Sequence, residues 1–253
     1  LRNYPSMAVY GWSSIGWYVL GTIAFLIPVS LVGAELATGW PHGGGIYAWV
    51  KEAFGEKIAF IAVFCEWSNN LVWFPTVLAF IASTFAFAVS PQLGSNSIFM
   101  FVVMMAAFWG TTFIALAGEK TSSRFGSFGV IAGSIIPAIL IIVMGFAYVF
   151  TGKPIVLPPF TPSAALPTIN LATLPFVATV VLLFAGMEMA GFHALEVRNP
   201  QRDFPLAMAV SALIIFVLTV AGTLAIAIVV PAQDLNLAAG LMQAFQAFLD
   251  AFG

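Results

Sequence analysis

The sequence predicts an all-α integral membrane protein with about six spanning helices, and three observations carry that prediction. Hydrophobic residues make up 61% of the 253 positions and charged residues only 7%, with a mean hydropathy of +1.04; a soluble domain carries roughly 25% charged residues. The apolar residues gather in runs at 13–36, 58–89, 97–117, 126–150, 171–195 and 205–230, each near or above the ~20 residues that a helix needs to cross the hydrocarbon. The basic residues then alternate. Lys51 and Lys57, Lys120 and Arg124, and Arg198 and Arg202 fall in three alternate connections, and only Arg2 and Lys153 fall on the other side. By the positive-inside rule the three basic connections are cytoplasmic.

The elements follow in order. Pro28, Pro75 and Pro137 lie inside the first, second and fourth runs, where they are expected to kink the helix and loosen nearby backbone bonds. Between the first two runs, ATGWPHGGGIYAWVKEAFGEK is turn-rich and then amphipathic. The 151–170 connection holds five prolines and is expected to be irregular and outside the hydrocarbon. Residues 231–253 are too short and polar to span. Leu241, Phe245, Phe248 and Phe252 recur there at helical spacing, which reads as an amphipathic surface helix or a cover over a vestibule; a partner helix fits the same spacing. The chain is thus expected to be one transmembrane domain over 1–253, incomplete at both ends. Its start has no initiator Met, basic n-region or A-x-A site, and reads as the interior of a larger protein rather than as a signal peptide.

Several function classes have no visible machinery. The net charge of −2 has no long basic run, which gives no support for a nucleic-acid partner. Cys65 is the single cysteine, most simply a small core residue. The triple glycine at 43–45 lacks the spacing of a phosphate cradle. No Cys/His cluster, H-E-x-x-H or G-x-S-x-G occurs, so neither a metal, a cofactor nor an enzymatic reaction is expected.

Two constellations remain. Glu188 lies inside the apolar run TLPFVATVVLLFAGMEMAGFHA between Gly186 and Gly191. A charge near the bilayer centre costs at least ~2.5–3.5 kcal/mol on insertion scales, so it persists where it has a partner or a water-filled cavity. Glycine weakens the helix at the same place, and non-helical backbone at that depth is tolerated where it lines a protected cavity. The span is therefore expected to be discontinuous at 184–188, with a buried acid at the break, as in many secondary transporters. The alternative is a structural acid paired with His193, Arg198 or a backbone donor; His193 itself and His42 read as interfacial and loop residues. In the second run, Glu66, Asn69, Asn70 and Trp73 are spaced i, i+3, i+4, i+7 and share one helix face. They are expected to face the interior, at least one of them near the 184–188 break. Glu66 would belong to a gate or network below the substrate, and Trp73 would cover an apolar stem or an ammonium group. Interhelical hydrogen-bonding glue is the other reading of the two amides.

With those residues in place, the chain resembles amino-acid permeases of the amino acid/polyamine/organocation superfamily, and within it the bacterial glutamate/GABA antiporters. The matching blocks are AELATGWPHGGGIYAWVKEAFG, the FAGME of 184–188, EVRNPQRDFPLAM at 196–208 and VVPAQDLNLAAGLMQAF at 229–245. The resemblance implies a LeuT-type inverted-repeat bundle of twelve spans, of which these six would be the second to seventh. It implies a substrate held between the unwound centres of the first and sixth spans, so that Phe184, Ala185, Gly186, Met187 and Glu188 occupy the sixth-span break, with Phe184 as an aromatic gate. The glycine-rich centre of the first span and the last five spans would lie outside these residues, and 1–253 alone would not transport.

The resulting expectation is part of a secondary transporter in the inner (plasma) membrane. It would exchange an anionic or zwitterionic amino acid for an amine product, driven by the exchange gradient or a coupled proton. Besides that small-molecule substrate, the only partner expected is the lipid bilayer; whether the protein forms a homo-oligomer is left open. Two rivals stand beside it: a channel or pore-forming subunit, with Glu66 and Glu188 lining a cation path, and a membrane scaffold whose polar groups are all structural.

Overall fold

A computed structural model describes residues 1–39, 45–170, 173–187, 199–237 and 239–253. Among these the regular structure is helical throughout. Five helical stretches are long and apolar enough to cross a membrane: 13–39, 56–89, 97–116, 120–150 and 201–227. They match five of the six expected runs. The described part of the remaining run, 171–195, contains a helix of 11 residues. The contacts divide the chain into two compact units.

The first unit comprises 1–14, 73–164 and 218–253. It contains α1 (Tyr4–Ala8), α6 (Ser97–Leu116), α7 (Glu119–Val130), α8 (Ile136–Phe150) and α11 (Gly240–Phe252), with parts of α5 (Glu56–Val89) and α10 (Pro200–Ala227). Its core gathers Tyr4, Ile141, Tyr148, Ile226, Leu241 and Phe248 from α1, α8, α10 and α11. Small residues let these helices approach closely: a Cβ on Gly145 of α8 would lie 2.9 Å from Ala225 of α10. The amphipathic tail is therefore a packed element rather than one lying free on a surface. Its helix begins at Gly240, not 231, and buries Leu241, Ala244 and Phe248, while Leu249 and Phe252 stay exposed.

The proline-rich connection is irregular, as expected, apart from a short 3-10 turn at Pro162–Ala165. It is nevertheless pinned. Val156 N–H donates to Ile228 O at 2.9 Å, Trp12 Nε1 donates to Pro158 O at 2.8 Å, and Lys153 Nζ donates to Ala251 O in the last turn of α11. A cation suits that helix end, where unpaired carbonyls gather negative charge.

The second unit comprises 15–72 and 165–217. It holds most of α2 (Ser13–Gly21), a π turn at Thr22–Leu26, α3 (Ile27–Gly39), α4 (Ile46–Phe54), the first part of α5, α9 (Leu174–Phe184) and the first part of α10. The π turn ends two residues before Pro28, and a second π turn, Ile131–Ile135, ends two residues before Pro137. Proline offers no N–H and crowds the carbonyl four residues back; the wider π turn makes room for both effects at those sites. Pro75 differs, because α5 runs unbroken through it for 34 residues. The fourth span also starts earlier than hydropathy indicated. Gly118, at φ 102, ends the connection, and polar residues from Glu119 onward are already helical.

Candidate functional site

The 171–195 run does not form one continuous helix over its described part. α9 closes at Phe184, with Ala185 N–H donating to Val181 O at 2.8 Å. Ala185 is then extended at φ −66 and ψ 151, and Gly186 takes φ 110. A side chain at that φ would be strained, so glycine is the residue this turn requires. A Cβ there would meet no atom within 4 Å; conformation, not space, selects the glycine. The end of α9 presents carbonyls that the helix no longer pairs and the negative pole of its dipole. At membrane depth such an end can receive an ammonium group or a cation.

Phe184 and Met187 are buried on either side of the turn, while Ala185 and Gly186 are exposed. The Phe184 ring, 1% exposed, lies 6.1 Å from the Tyr18 ring at an interplanar angle of 58°. Gly21 makes this possible, since a Cβ there would lie 3.3 Å from the Phe184 ring and closer still to Val180. The break is therefore anchored on α2 by an aromatic pair and a glycine. Tyr18 and Gly21 were not among the residues singled out from sequence. A tyrosine and a glycine one turn apart in an aliphatic span mark the two positions, but nothing local names Phe184 as their partner.

The polar stripe of α5 is organised differently. Asn70 Nδ2 donates to Glu66 O at 3.0 Å and to Glu66 Oε1 at 3.2 Å, and both residues are half-buried. Asn69 is exposed, and Trp73 is 45% exposed with its ring against Phe74 at 5.5 Å. Within this chain the stripe is covered only in part: Glu66 and Asn70 are half-buried, Asn69 and Trp73 exposed. The i, i+4 spacing lets the Asn70 amide answer the acid on the same helix, so Glu66 does not need another element. Trp73 also falls in the other unit from Asn69 and Asn70. Glu188, Gly191, His193 and Arg198 lie outside the described residues, as does His42.

The family model for amino acid permeases matches residues 1–253. An uncharacterized transporter of Legionella pneumophila is 41% identical over 253 residues, which is 100% of this chain and 54% of that protein. A glutamate/gamma-aminobutyrate antiporter of Lactococcus lactis is 32% identical over 251 residues, covering 98% of this chain and 50% of its own length. A Lactococcus lactis protein named "Probable agmatine/putrescine antiporter" is 23% identical over 244 residues, 96% of this chain and 51% of that protein. The chain spans about half the length of these curated relatives. A permease-family match over its whole length, together with five helices able to cross a bilayer, agrees with the membrane class read from composition: the chain belongs to the amino acid permease family.

Proposed function

We propose that this chain forms part of a secondary active amino-acid transporter of the plasma membrane that works by alternating access. The exchange is of an anionic or zwitterionic amino acid, such as glutamate, for an amine product such as GABA. One observation carries the reading: α9 stops at Phe184, and the backbone turns out of the helix through Ala185 and Gly186. A half-helix end at membrane depth is how transporters of this kind meet the charged groups of a substrate. In this reading Phe184, Ala185, Gly186, Met187 and Glu188 contact or gate the substrate. Glu188 serves as the titrating acid, because an ionised carboxylate in an apolar span is costly and a coupled proton changes the charge of the cavity. Asn69, Asn70, Trp73 and Glu66 form a second, gating set on α5.

The test uses the protein at its natural length in proteoliposomes. Labelled glutamate should enter vesicles preloaded with GABA and fail to enter empty ones, and Glu188→Gln should flatten the pH dependence of that exchange while leaving insertion intact. A substrate-independent ion current, which a channel would give, overturns the transporter reading; an unchanged pH profile in Glu188→Gln overturns the role of the acid.

A further inference from the structure

Within the second unit, a cleft of about 300 Å³ runs along the π turn and α3 on one side and the first half of α10 on the other. Leu31 and Ala34 form one wall, and Pro205, Ala209, Ala212 and Phe216 form the other. The lining is apolar except for two hydroxyls. Thr22 Oγ1 and Ser30 Oγ are buried and have no hydrogen-bond partner among the described residues, and Ser30 is only 5% exposed. An unanswered hydroxyl at membrane depth is unfavourable, so an acceptor delivered into the cleft would be held there.

The lining and the mouth of the cleft select the occupant. An almost wholly apolar cleft along two helices suits part of a hydrocarbon chain. The α10 residues on its wall recur every three or four positions, and the same stripe continues one turn back to Arg202, which is exposed. Arg202 lies on the cytoplasmic side by the distribution of basic residues, where anionic lipid heads are concentrated. The acids nearest in sequence, Glu35 and Asp203, are also exposed. Ser30 stands nine residues before the end of α3 at Gly39, or ~13 Å along the helix, in the cytoplasmic half of the span.

We propose that this cleft is a binding site for an anionic phospholipid, with one acyl chain along α3 and α10, an ester carbonyl accepting from Ser30, and the phosphate on Arg202. The site is tested by native mass spectrometry of the natural-length protein given equimolar phosphatidylglycerol and phosphatidylcholine. One retained lipid is expected, with phosphatidylglycerol preferred about fivefold, the ratio that one basic residue at the membrane surface supplies. Arg202→Gln should bring that ratio close to one, whereas Ala212→Phe should abolish retention of either lipid. Ala209→Leu narrows the same cleft less severely and stands in if Ala212→Phe fails to fold. In a background with Cys65→Ser and every other native cysteine of the natural-length protein replaced, a bimane on Leu213→Cys should be quenched by dibrominated phosphatidylglycerol in vesicles. Equal retention by wild type and both filled variants, a headgroup ratio unmoved by Arg202→Gln, or an unquenched bimane, as when protein covers the cleft, would each overturn the proposal.

Discussion

α5 and α9 are both membrane-depth helices, yet they handle polarity in opposite ways. α5 carries its polar groups on side chains and keeps its backbone intact, even through Pro75. Asn70 answers Glu66 four residues away, and Ser68, Thr76 and Thr84 each donate to a carbonyl of the preceding turn. α9 has an aliphatic and aromatic sequence up to its end, and there it opens the backbone itself. Residues 185 and 186 leave helical geometry while Phe184 is held fast against Tyr18. The lesson is that a polar side chain in a span is compatible with a closed, self-satisfied helix. An interrupted backbone leaves groups that the helix no longer answers, and it is the stronger pointer to a site.

Four perturbations probe this contrast, the largest first. Phe184→Ala should remove the anchor of the break and cost about 3–5 kcal/mol if the site cannot collapse; chemical unfolding in mixed micelles measures it, and a cost below ~1 kcal/mol would show that α2 does not hold α9. Gly186→Ala forces a Cβ into left-handed backbone and should cost ~1–2 kcal/mol. Exchange activity should fall with it, by roughly ten- to thirtyfold if the turn is needed in the transport cycle; full stability and activity would mean that φ 110 is not required. Pro75→Ala restores an N–H for the Leu71 carbonyl in a helix that is already continuous, so stability should rise by about 1 kcal/mol. A drop would show that α5 uses its proline to bend. The smallest effect is expected for Glu66 and Asn70, where a double-mutant cycle with Glu66→Gln and Asn70→Ala should give a coupling near ~0.6 kcal/mol. Zero coupling would place their partners on another element.

Much of this was legible from residue order because membrane helices obey few rules. Runs of about 20 apolar residues locate spans without tertiary information, and glycine beside a mid-span acid marks a weak point in a helix. The end of α9 at Phe184 falls where Gly186 and Glu188 indicated. The bond by which Asn70 answers Glu66 within its own helix was not singled out. Spacing places residues on a common face but does not say what covers that face, and it overlooks that an amide can satisfy its own helix. The anchoring of Phe184 by Tyr18 and Gly21 was hidden for a different reason: it is a contact between residues more than 160 positions apart, and no local pattern encodes such a pair. The early start of the fourth span escaped hydropathy because Lys120–Ser123 are polar, although nothing in their chemistry prevents a helix from continuing into the interface.

The π turn at Thr22–Leu26 has a consequence for the faces of the first span. An α-helix advances about 100° per residue, so Tyr18 and Ser30, twelve positions apart, would point 120° away from each other in an uninterrupted helix. One residue absorbed by the π turn cuts that to about 20°, and the same arithmetic applies to Gly21 and Gly33. All four are buried. The turn therefore acts as a frameshift that brings two separately buried faces, one on α2 and one on α3, into a single line. Deleting one residue between 22 and 26 would turn the segment into ordinary α-helix and leave Tyr18 and Ser30 still about 20° apart, whereas straightening the π turn at full length would swing everything beyond Leu26 by more than a quarter turn, carrying Ser30 and Ala34 away from the face that Tyr18 defines.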